Sequence, residues 1–160
     1  MLNEKSISIQ KADNSLLSTP HDCYITLTTR CNLNCRHCFG SYGEEIKELP
    51  LEEWKRIILD LKNSGVFYIN LSGGEPTTYP KFKELIEFLE KIEYHYMITT
   101  NGIIKKELRE YLLNNKEFLI GFKISLDGPT PKSNDHIRRC QGLTNEAVFN
   151  QINKTINEIN

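Results

Sequence analysis

The sequence VFYINLSGGEP at residues 66–76 decides the fold. Its first six residues are rich in β-branched and aromatic side chains, which predicts a strand. The five that follow contain two glycines and a proline, which end a strand and begin a loop. Apolar residues at helical spacing flank this stretch on both sides, in residues 51–61 and 82–92. A strand set between two amphipathic helices is typical of a parallel α/β sheet.

The same alternation extends over most of the chain. Strands are predicted at residues 23–28, 66–71, 95–99 and 118–125, and helices begin near residues 50, 80, 105 and 145. The order βαβαβαβα predicts a parallel sheet with right-handed crossover connections. Residues 1–21 are predicted to form an N-terminal arm with one short strand at residues 6–10, and residues 22–160 the folded domain.

Composition narrows the class of protein. The chain has 160 residues, of which 39% are hydrophobic and 26% charged, as in a single globular domain. A net charge of −1 gives no indication of a nucleic-acid partner. No apolar run approaches the roughly 20 residues of a membrane helix. Residues 1–19 lack the apolar region of a secretory signal. Three of the five cysteines are clustered, which favours a metal site in the reducing cytoplasm over disulfides.

The cysteine cluster lies in residues 29–38, TRCNLNCRHC, and contains Cys31, Cys35 and Cys38. Thiolates bind iron–sulfur clusters, zinc or copper(I). Three ligands leave one metal position open, and an open position is where substrate chemistry occurs. His37 carries a nitrogen that could complete a zinc site, so the residues alone leave iron–sulfur and zinc both open.

A distinctive loop follows each predicted strand: the cysteine run, GGEP at residues 73–76, TNG at 100–102 and SLDG at 125–128. The carboxyl ends of parallel strands share one edge, where ligands bind in α/β proteins, so we expect these loops to meet. Glycines let the backbone approach a ligand closely. The carboxylate of Glu75 and nearby carbonyls can accept hydrogen bonds from an ammonium group.

The CxxxCxxC spacing, GGEP after the second strand and SLDG after the fourth resemble the radical S-adenosylmethionine (SAM) superfamily. The style of the motifs is similar to its peptide maturases and sulfatase-maturing enzymes. The resemblance covers about residues 22–150 and implies an α/β fold, a partial TIM-like barrel of six βα units. This chain supplies about four, so we expect the N-terminal part of a truncated barrel, either a fragment or half of a split enzyme.

The resemblance also implies a set of cofactor contacts. Cys31, Cys35 and Cys38 would bind a [4Fe-4S] cluster whose fourth iron binds SAM. The implied SAM contacts are His37 beside the adenine, Gly73, Gly74 and Glu75 at the methionine moiety, Ser125 at the ribose and Arg138 at the carboxylate. The family usually has a glycine-rich segment after this arginine, where residues 138–144 read RRCQGLT. Arg139 therefore competes with Arg138 for the role.

The implied reaction begins when an external one-electron donor of flavodoxin or ferredoxin type reduces the cluster. SAM is then cleaved to methionine and a 5′-deoxyadenosyl radical, which abstracts hydrogen from a substrate. The SLDG form favours a peptide or protein substrate, with small-molecule cofactor biosynthesis close behind. The alternative class is a non-catalytic iron–sulfur or zinc-binding module.

The remaining candidates have structural interpretations. Asp127 is equally a turn or capping residue, as Asp-Gly pairs usually are. Cys23 is predicted to be buried in a strand and Cys140 to be a loop thiol with no cluster of its own. His21, His95 and His136 show no metal-ligand spacing and are predicted to be structural.

Overall fold

The computed structural model describes residues 19–38, 48–115, 117–139 and 147–159. Within these ranges, strands and helices follow in this order: β1 (Asp22–Thr26), α1 (Leu51–Asn63), β2 (Tyr68–Ser72), α2 (Phe82–Lys91), β3 (His95–Thr100), α3 (Lys106–Asn114), β4 (Leu119–Ile124), α4 (Pro131–Ile137) and α5 (Ala147–Ile159). All strand pairs are parallel, and their order in the sheet is β1-β2-β3-β4. This confirms the predicted alternation and the α/β fold class.

The main core lies between one face of the sheet and the helices α1, α2 and α3. Alternate residues of the strands point to this face, because successive side chains of a strand lie on opposite sides. Ile25 is paired with Leu71, and Leu71 with Ile98, in register across three strands. The buried core residues of α1 and α2 are among those that the helical spacing predicts: Trp54, Ile58, Phe82, Leu85, Ile86 and Leu89. Helix α3 adds Leu112, for which no prediction was made.

A second, smaller core places α5 beneath the cysteine loop. Val148 and Ile152 of α5 are buried against Leu33, which lies between the first two clustered cysteines. Cys31 and Cys35 are partly buried at the edge of this contact. The last helix of the described chain therefore supports the loop that follows the first strand.

The structure differs from the sequence prediction mainly in α4 and at the end of β1, and β2 begins two residues later than predicted, at Tyr68. The short helix α4 was not predicted, because seven residues are too few for a visible apolar period. Its sequence signal is the cap, in which Pro131 is the first helical residue. The Thr130 hydroxyl accepts from the Ser133 N–H, and the Ser133 hydroxyl accepts from the Thr130 N–H. The predicted strand 23–28 ends at Thr26, although the Leu27 N–H still donates to the Ser72 carbonyl at 3.0 Å.

The predictions for Cys23, the N-terminal arm, Cys140 and membrane helices differ in their outcome. Cys23 lies in β1 as predicted, but it is half-buried and not fully buried. Most of the predicted arm, with its strand at residues 6–10, and Cys140 lie outside the described residues. In the described ranges, no helix has the length and apolar character needed to cross a bilayer.

Candidate metal and cofactor site

The loops that follow the four strands meet at a cavity of about 240 Å³ at the carboxyl edge of the sheet. All the residues predicted for the site line this cavity except Glu75: Cys31, Cys35, His37, Cys38, Gly73, Gly74, Ser125 and Arg138. Ser72, Thr99, Thr100 and Asn101 also line it. The topology thus brings together residues that are more than 100 positions apart in the sequence, as the shared strand edge predicts.

The cysteine loop is held in place by backbone contacts to the end of α4 and the residues that follow it. The Asn34 N–H donates to the Arg139 carbonyl at 2.6 Å, and the Arg36 N–H donates to the Ile137 carbonyl at 2.9 Å. Within the loop, the Cys38 N–H donates to the Cys35 carbonyl at 3.3 Å. Backbone hydrogen bonds therefore join the cysteine loop to the segment that carries Arg138.

The clustered cysteines are free thiols in this structure, as is Cys23. Burial is the main cause that raises the pKa of Cys31, and a hydrogen bond from the Leu33 N–H partly offsets it. Burial also raises the pKa of Cys35, and the nearby guanidinium of Arg138 partly offsets that. A metal bound here would displace protons from these thiols.

The double-glycine loop lies against the backbone that precedes Cys31. The Gly74 N–H donates to the Thr28 carbonyl at 2.9 Å, and the Glu75 N–H donates to the Arg30 carbonyl at 2.8 Å. Gly73 has a φ of +142°, and a Cβ added there would come within 2.4 Å of the Thr28 oxygen. A Cβ on Gly74 would lie 2.4 Å from the Arg30 oxygen. No side chain fits between these two loops, so glycine is required at both positions.

Glu75 lies behind the cavity wall, fully buried. One oxygen of its carboxylate accepts from the Thr77 hydroxyl at 2.7 Å, the Thr77 N–H at 3.3 Å and the Thr100 hydroxyl at 2.9 Å. The other accepts from the Asn101 N–H at 2.8 Å. Burial raises the pKa of Glu75, and these hydrogen bonds partly offset the rise. Glu75 does not line the cavity in this structure, so its carboxylate is separated from the space that a SAM ammonium group would occupy.

Asn101 is a site residue that the sequence analysis did not single out, although it lies in the TNG loop at the strand edge. Its side-chain N–H₂ lies 3.7 Å from the sulfur of Cys31 and donates to the Asn32 side-chain oxygen at 2.7 Å. Its side-chain oxygen accepts from the Ile103 N–H at 2.8 Å. Asn101 thus joins the loop after β3 to the cysteine loop.

Asp127 makes contacts that a turn residue would not need. One of its carboxylate oxygens lies 3.4 Å from His37 Nε2 and 2.6 Å from Arg138 Nε. The contact to Arg138 is ionic, since the buried Nε makes no hydrogen bond of acceptable angle. Arg138 is 8% exposed and lines the cavity, whereas Arg139 is exposed and does not. The arrangement favours Arg138 over Arg139 as the cofactor contact.

The donor set can be tested against the groups that it would hold. In the described part of the chain, no group of three or more His, Cys, Asp or Glu side chains converges closely enough to hold a single metal ion. The three thiols instead share a wider cavity wall. Iron–sulfur clusters are held by cysteine thiolates on separate irons. Three thiols on one cavity wall are a donor set that fits such a cluster.

Comparison with known proteins identifies the class. The sequence profile of the radical SAM superfamily matches residues 25–158, and the chain belongs to this superfamily. The four parallel βα units are accordingly part of the TIM-like barrel of this superfamily.

The similar proteins include peptide maturases. The mycofactocin maturase MftC of Mycobacterium tuberculosis is 40% identical over 114 residues, which cover 70% of this chain and 29% of MftC. Streptococcus suis SuiB bound to its precursor peptide SuiA has a TM-score of 0.73 at 28% identity, covering 89% of this chain and 31% of SuiB. SuiB bound to SAM has a TM-score of 0.72 at 28% identity, with 89% and 32% covered. The chain spans about a third of the length of these proteins.

Proposed function

We propose that this chain is the cluster-binding and SAM-binding part of a radical SAM enzyme that modifies a peptide. The observation that carries the proposal is that Cys31, Cys35 and Cys38 line one cavity together with Gly73 and Gly74. Three soft ligands next to a side-chain-free stretch of backbone suit a cluster with one open iron and a ligand that lies close to the main chain.

The residues have separate roles in this proposal. The three thiolates hold a [4Fe-4S] cluster, which when bound supplies the electron that cleaves SAM to methionine and a 5′-deoxyadenosyl radical. The backbone of Gly73 and Gly74 holds the methionine moiety, with Glu75 fixing their loop from behind. Three further contacts complete the site: His37 beside the adenine, Ser125 at the ribose and Arg138 at the carboxylate. A guanidinium suits a carboxylate because of its forked donor geometry.

The proposed substrate is a peptide. The printed names of similar proteins support this, since MftC is a maturase and SuiB was crystallised with a precursor peptide. The second face of the sheet, opposite the helix-packed core, carries accessible polar groups. On that face Thr99 lines the cavity, and Lys123 Nζ donates to the hydroxyl of Tyr24, which is 57% exposed, at 2.6 Å. Such groups can bind the amides of a peptide backbone.

The domain organisation forms part of the proposal. Residues 22–160 constitute the N-terminal part of a barrel, and further βα units come from a longer protein or a second chain. The partial coverage of the similar proteins supports this. Strands β1 and β4 are the edges of the sheet, and edge strands present unpaired backbone groups that another strand can pair with.

The electron donor is an external flavodoxin or ferredoxin, and the free thiols agree with a reducing, cytoplasmic setting.

Anaerobic reconstitution tests the proposal. We expect about four irons per chain, and 5′-deoxyadenosine formed from SAM when dithionite is supplied. Cys35→Ala should lose iron and SAM cleavage. The matched control is Cys23→Ala, because Cys23 lies in β1 away from the cavity and should retain both. One tightly held zinc ion without SAM cleavage would instead identify a non-catalytic metal-binding module, and an active Cys35→Ala variant would contradict the ligand set.

A further inference from the structure

Asp127 contacts two cavity-lining residues that are far apart in the sequence. His37 belongs to the cysteine loop, and Arg138 ends α4, about 100 residues later. The same carboxylate oxygen lies 3.4 Å from His37 Nε2 and 2.6 Å from Arg138 Nε. Asp127 itself does not line the cavity. Its side chain therefore contacts two residues that line the cavity without lining the cavity itself.

Asp127 is held in position by a buried asparagine. The Asp127 N–H donates to the side-chain oxygen of Asn134 at 3.0 Å, and the Arg138 N–H donates to the Asn134 carbonyl at 2.8 Å. Asn134 is fully buried. One residue of α4 thus fixes the backbone on both sides of the ion pair. This arrangement sets the separation of Asp127 and Arg138 before any ligand binds.

The ion pair also determines which nitrogens of Arg138 can meet a ligand. Its Nε lies 2.6 Å from an Asp127 oxygen without a hydrogen bond of acceptable angle, so charge holds the two groups together. A guanidinium held by charge on its Nε side can present its terminal nitrogens to a second anion, and those two donors match a carboxylate. Because Arg138 is nearly buried, its charge near Cys35 would be costly without a partner.

The geometry points to Asp127 as a positioning residue for SAM: it orients the His37 ring and the Arg138 guanidinium toward the cavity. This inference rests on the proposed function, since it takes SAM as the ligand of that cavity. Asp127 does not line the cavity, and its close side-chain contacts are to His37 and Arg138. Its charge also acts on Cys35, whose pKa it helps to raise, so loss of that charge does not disfavour the thiolate that binds iron. Removing its charge should weaken SAM binding while the three cysteines still bind iron.

The test is equilibrium dialysis of SAM against the anaerobically reconstituted protein, without reductant so that no SAM is cleaved. For Asp127→Asn, which keeps the shape and removes the charge, we expect the Kd for SAM to rise roughly tenfold or more. Iron content should equal that of the wild type. Asp60→Asn is the matched control, because Asp60 is an exposed carboxylate on α1, 3.7 Å from Arg56. Its Kd should stay within about twofold of the wild-type value.

A double-mutant cycle separates positioning from simple loop support. If Asp127 acts through His37, the losses of SAM affinity in Asp127→Asn and His37→Ala combine less than additively. Additive losses, or an Asp127→Asn Kd within about twofold of wild type, would overturn the inference. If circular dichroism shows that Asp127→Asn does not fold, Asp127→Glu replaces it: the longer side chain must displace one partner, and an unchanged Kd is again decisive.

These outcomes also separate the inference from the proposal that it rests on. A wild-type protein that binds iron and SAM, with an Asp127→Asn variant that binds SAM equally well, refutes only the role of Asp127. A wild-type protein that binds neither cofactor refutes the proposed function and the inference together.

Discussion

The buried carboxylate of Glu75 accepts a hydrogen bond from the backbone N–H of Asn101 at 2.8 Å. Asn101 in turn places its side-chain N–H₂ 3.7 Å from the sulfur of Cys31. The glycine loop after β2, the loop after β3 and the cysteine loop are therefore joined through two residues. Because Glu75 is fully buried, its carboxylate fixes the shape of the site from behind and not from within the cavity.

Replacing Glu75 by Gln tests this role. Each carboxylate oxygen accepts from a backbone N–H, one from Thr77 and one from Asn101. In either orientation, a Gln amide therefore turns its own N–H₂ group toward a backbone donor. We expect the free energy of unfolding to fall by about 1–3 kcal/mol in chemical denaturation, because a buried donor loses its acceptor.

The control for this prediction is Glu84→Gln, because the side chain of Glu84 on α2 is 43% exposed and pairs with Lys81 at 2.9 Å. It should unfold at nearly the same denaturant concentration as the wild type. If Glu75→Gln left stability unchanged but weakened SAM binding, the carboxylate would act directly on the cofactor, and the supporting role would be wrong.

The positions of the strands and the content of the loops could be predicted from sequence because both depend on local patterns. Apolar spacing locates the helices and strands, and parallel topology then brings the loops to one edge. The place of Gly73 and Gly74 at this edge could also be predicted, because glycine allows two backbone segments to lie close together. The contacts of Asp127 could not be predicted, because they depend on where α4 returns to the cysteine loop. That return involves a helix too short to show a period.

The buried state of Glu75 was not predictable for a related reason. A carboxylate in a loop is expected to face solvent or a ligand, and burial becomes tolerable only when enough donors surround it. Its donors, Thr77, Thr100 and Asn101, come from two different loops. Only the fold shows that these donors converge.

Gly74→Ala should disturb the site through the backbone. The added Cβ would lie 2.4 Å from the Arg30 carbonyl oxygen and 2.9 Å from that of Thr29, and neither can rotate away as a side chain would. We expect a loss of about 1–3 kcal/mol in the free energy of unfolding. Iron uptake should also fall, because the displaced segment leads directly into Cys31.

Gly121→Ala is the matched control for the glycine prediction. Gly121 lies in β4, where an added Cβ meets no heavy atom within 4 Å. This variant should be as stable as the wild type, or more stable by about 0.4–1 kcal/mol, since alanine lowers the entropy of the unfolded chain. If Gly74→Ala and Gly121→Ala had the same free energy of unfolding, the close approach of the two loops would be contradicted.

Asp135 caps α5 from a different helix. Its carboxylate accepts from the Val148 N–H at 3.1 Å and the Phe149 N–H at 3.0 Å, in the first turn of α5. Asp135→Ala should lower the free energy of unfolding by about 0.5–2 kcal/mol, as the loss of an N-cap does. Asp60→Ala on α1 controls for the loss of a surface carboxylate. A larger loss for Asp60→Ala than for Asp135→Ala would contradict the cap.

The same substitution should also affect the metal site. Val148 and Ile152 of α5 pack against Leu33 inside the cysteine loop, so fraying of the helix start loosens that loop. We expect Asp135→Ala to bind iron more slowly during reconstitution, followed by the iron–sulfur absorbance. Iron uptake at the wild-type rate, in a variant that is measurably less stable, would show that α5 and the cysteine loop are energetically independent.

Alkaline stability should depend on Tyr94, which belongs to the main core and is 3% exposed. Its hydroxyl donates to the Val66 carbonyl at 2.8 Å, and burial raises the pKa of Tyr94 to about 12. An unfolded tyrosine loses its proton near pH 10. Between these values the folded state holds the proton and the unfolded state does not. The free energy of unfolding therefore falls as the pH rises from about 10 to about 12.

Tyr94→Phe removes this proton, and its pH profile gives the test. The variant should lose about 1 kcal/mol at pH 8, because the Val66 carbonyl loses its donor. Above pH 10 its free energy of unfolding should fall less steeply than that of the wild type, so the two curves converge. Tyr24→Phe is the control, since that ring is 57% exposed. Parallel curves for Tyr94→Phe and the wild type up to pH 12 would show that the Tyr94 hydroxyl is not protected by the fold.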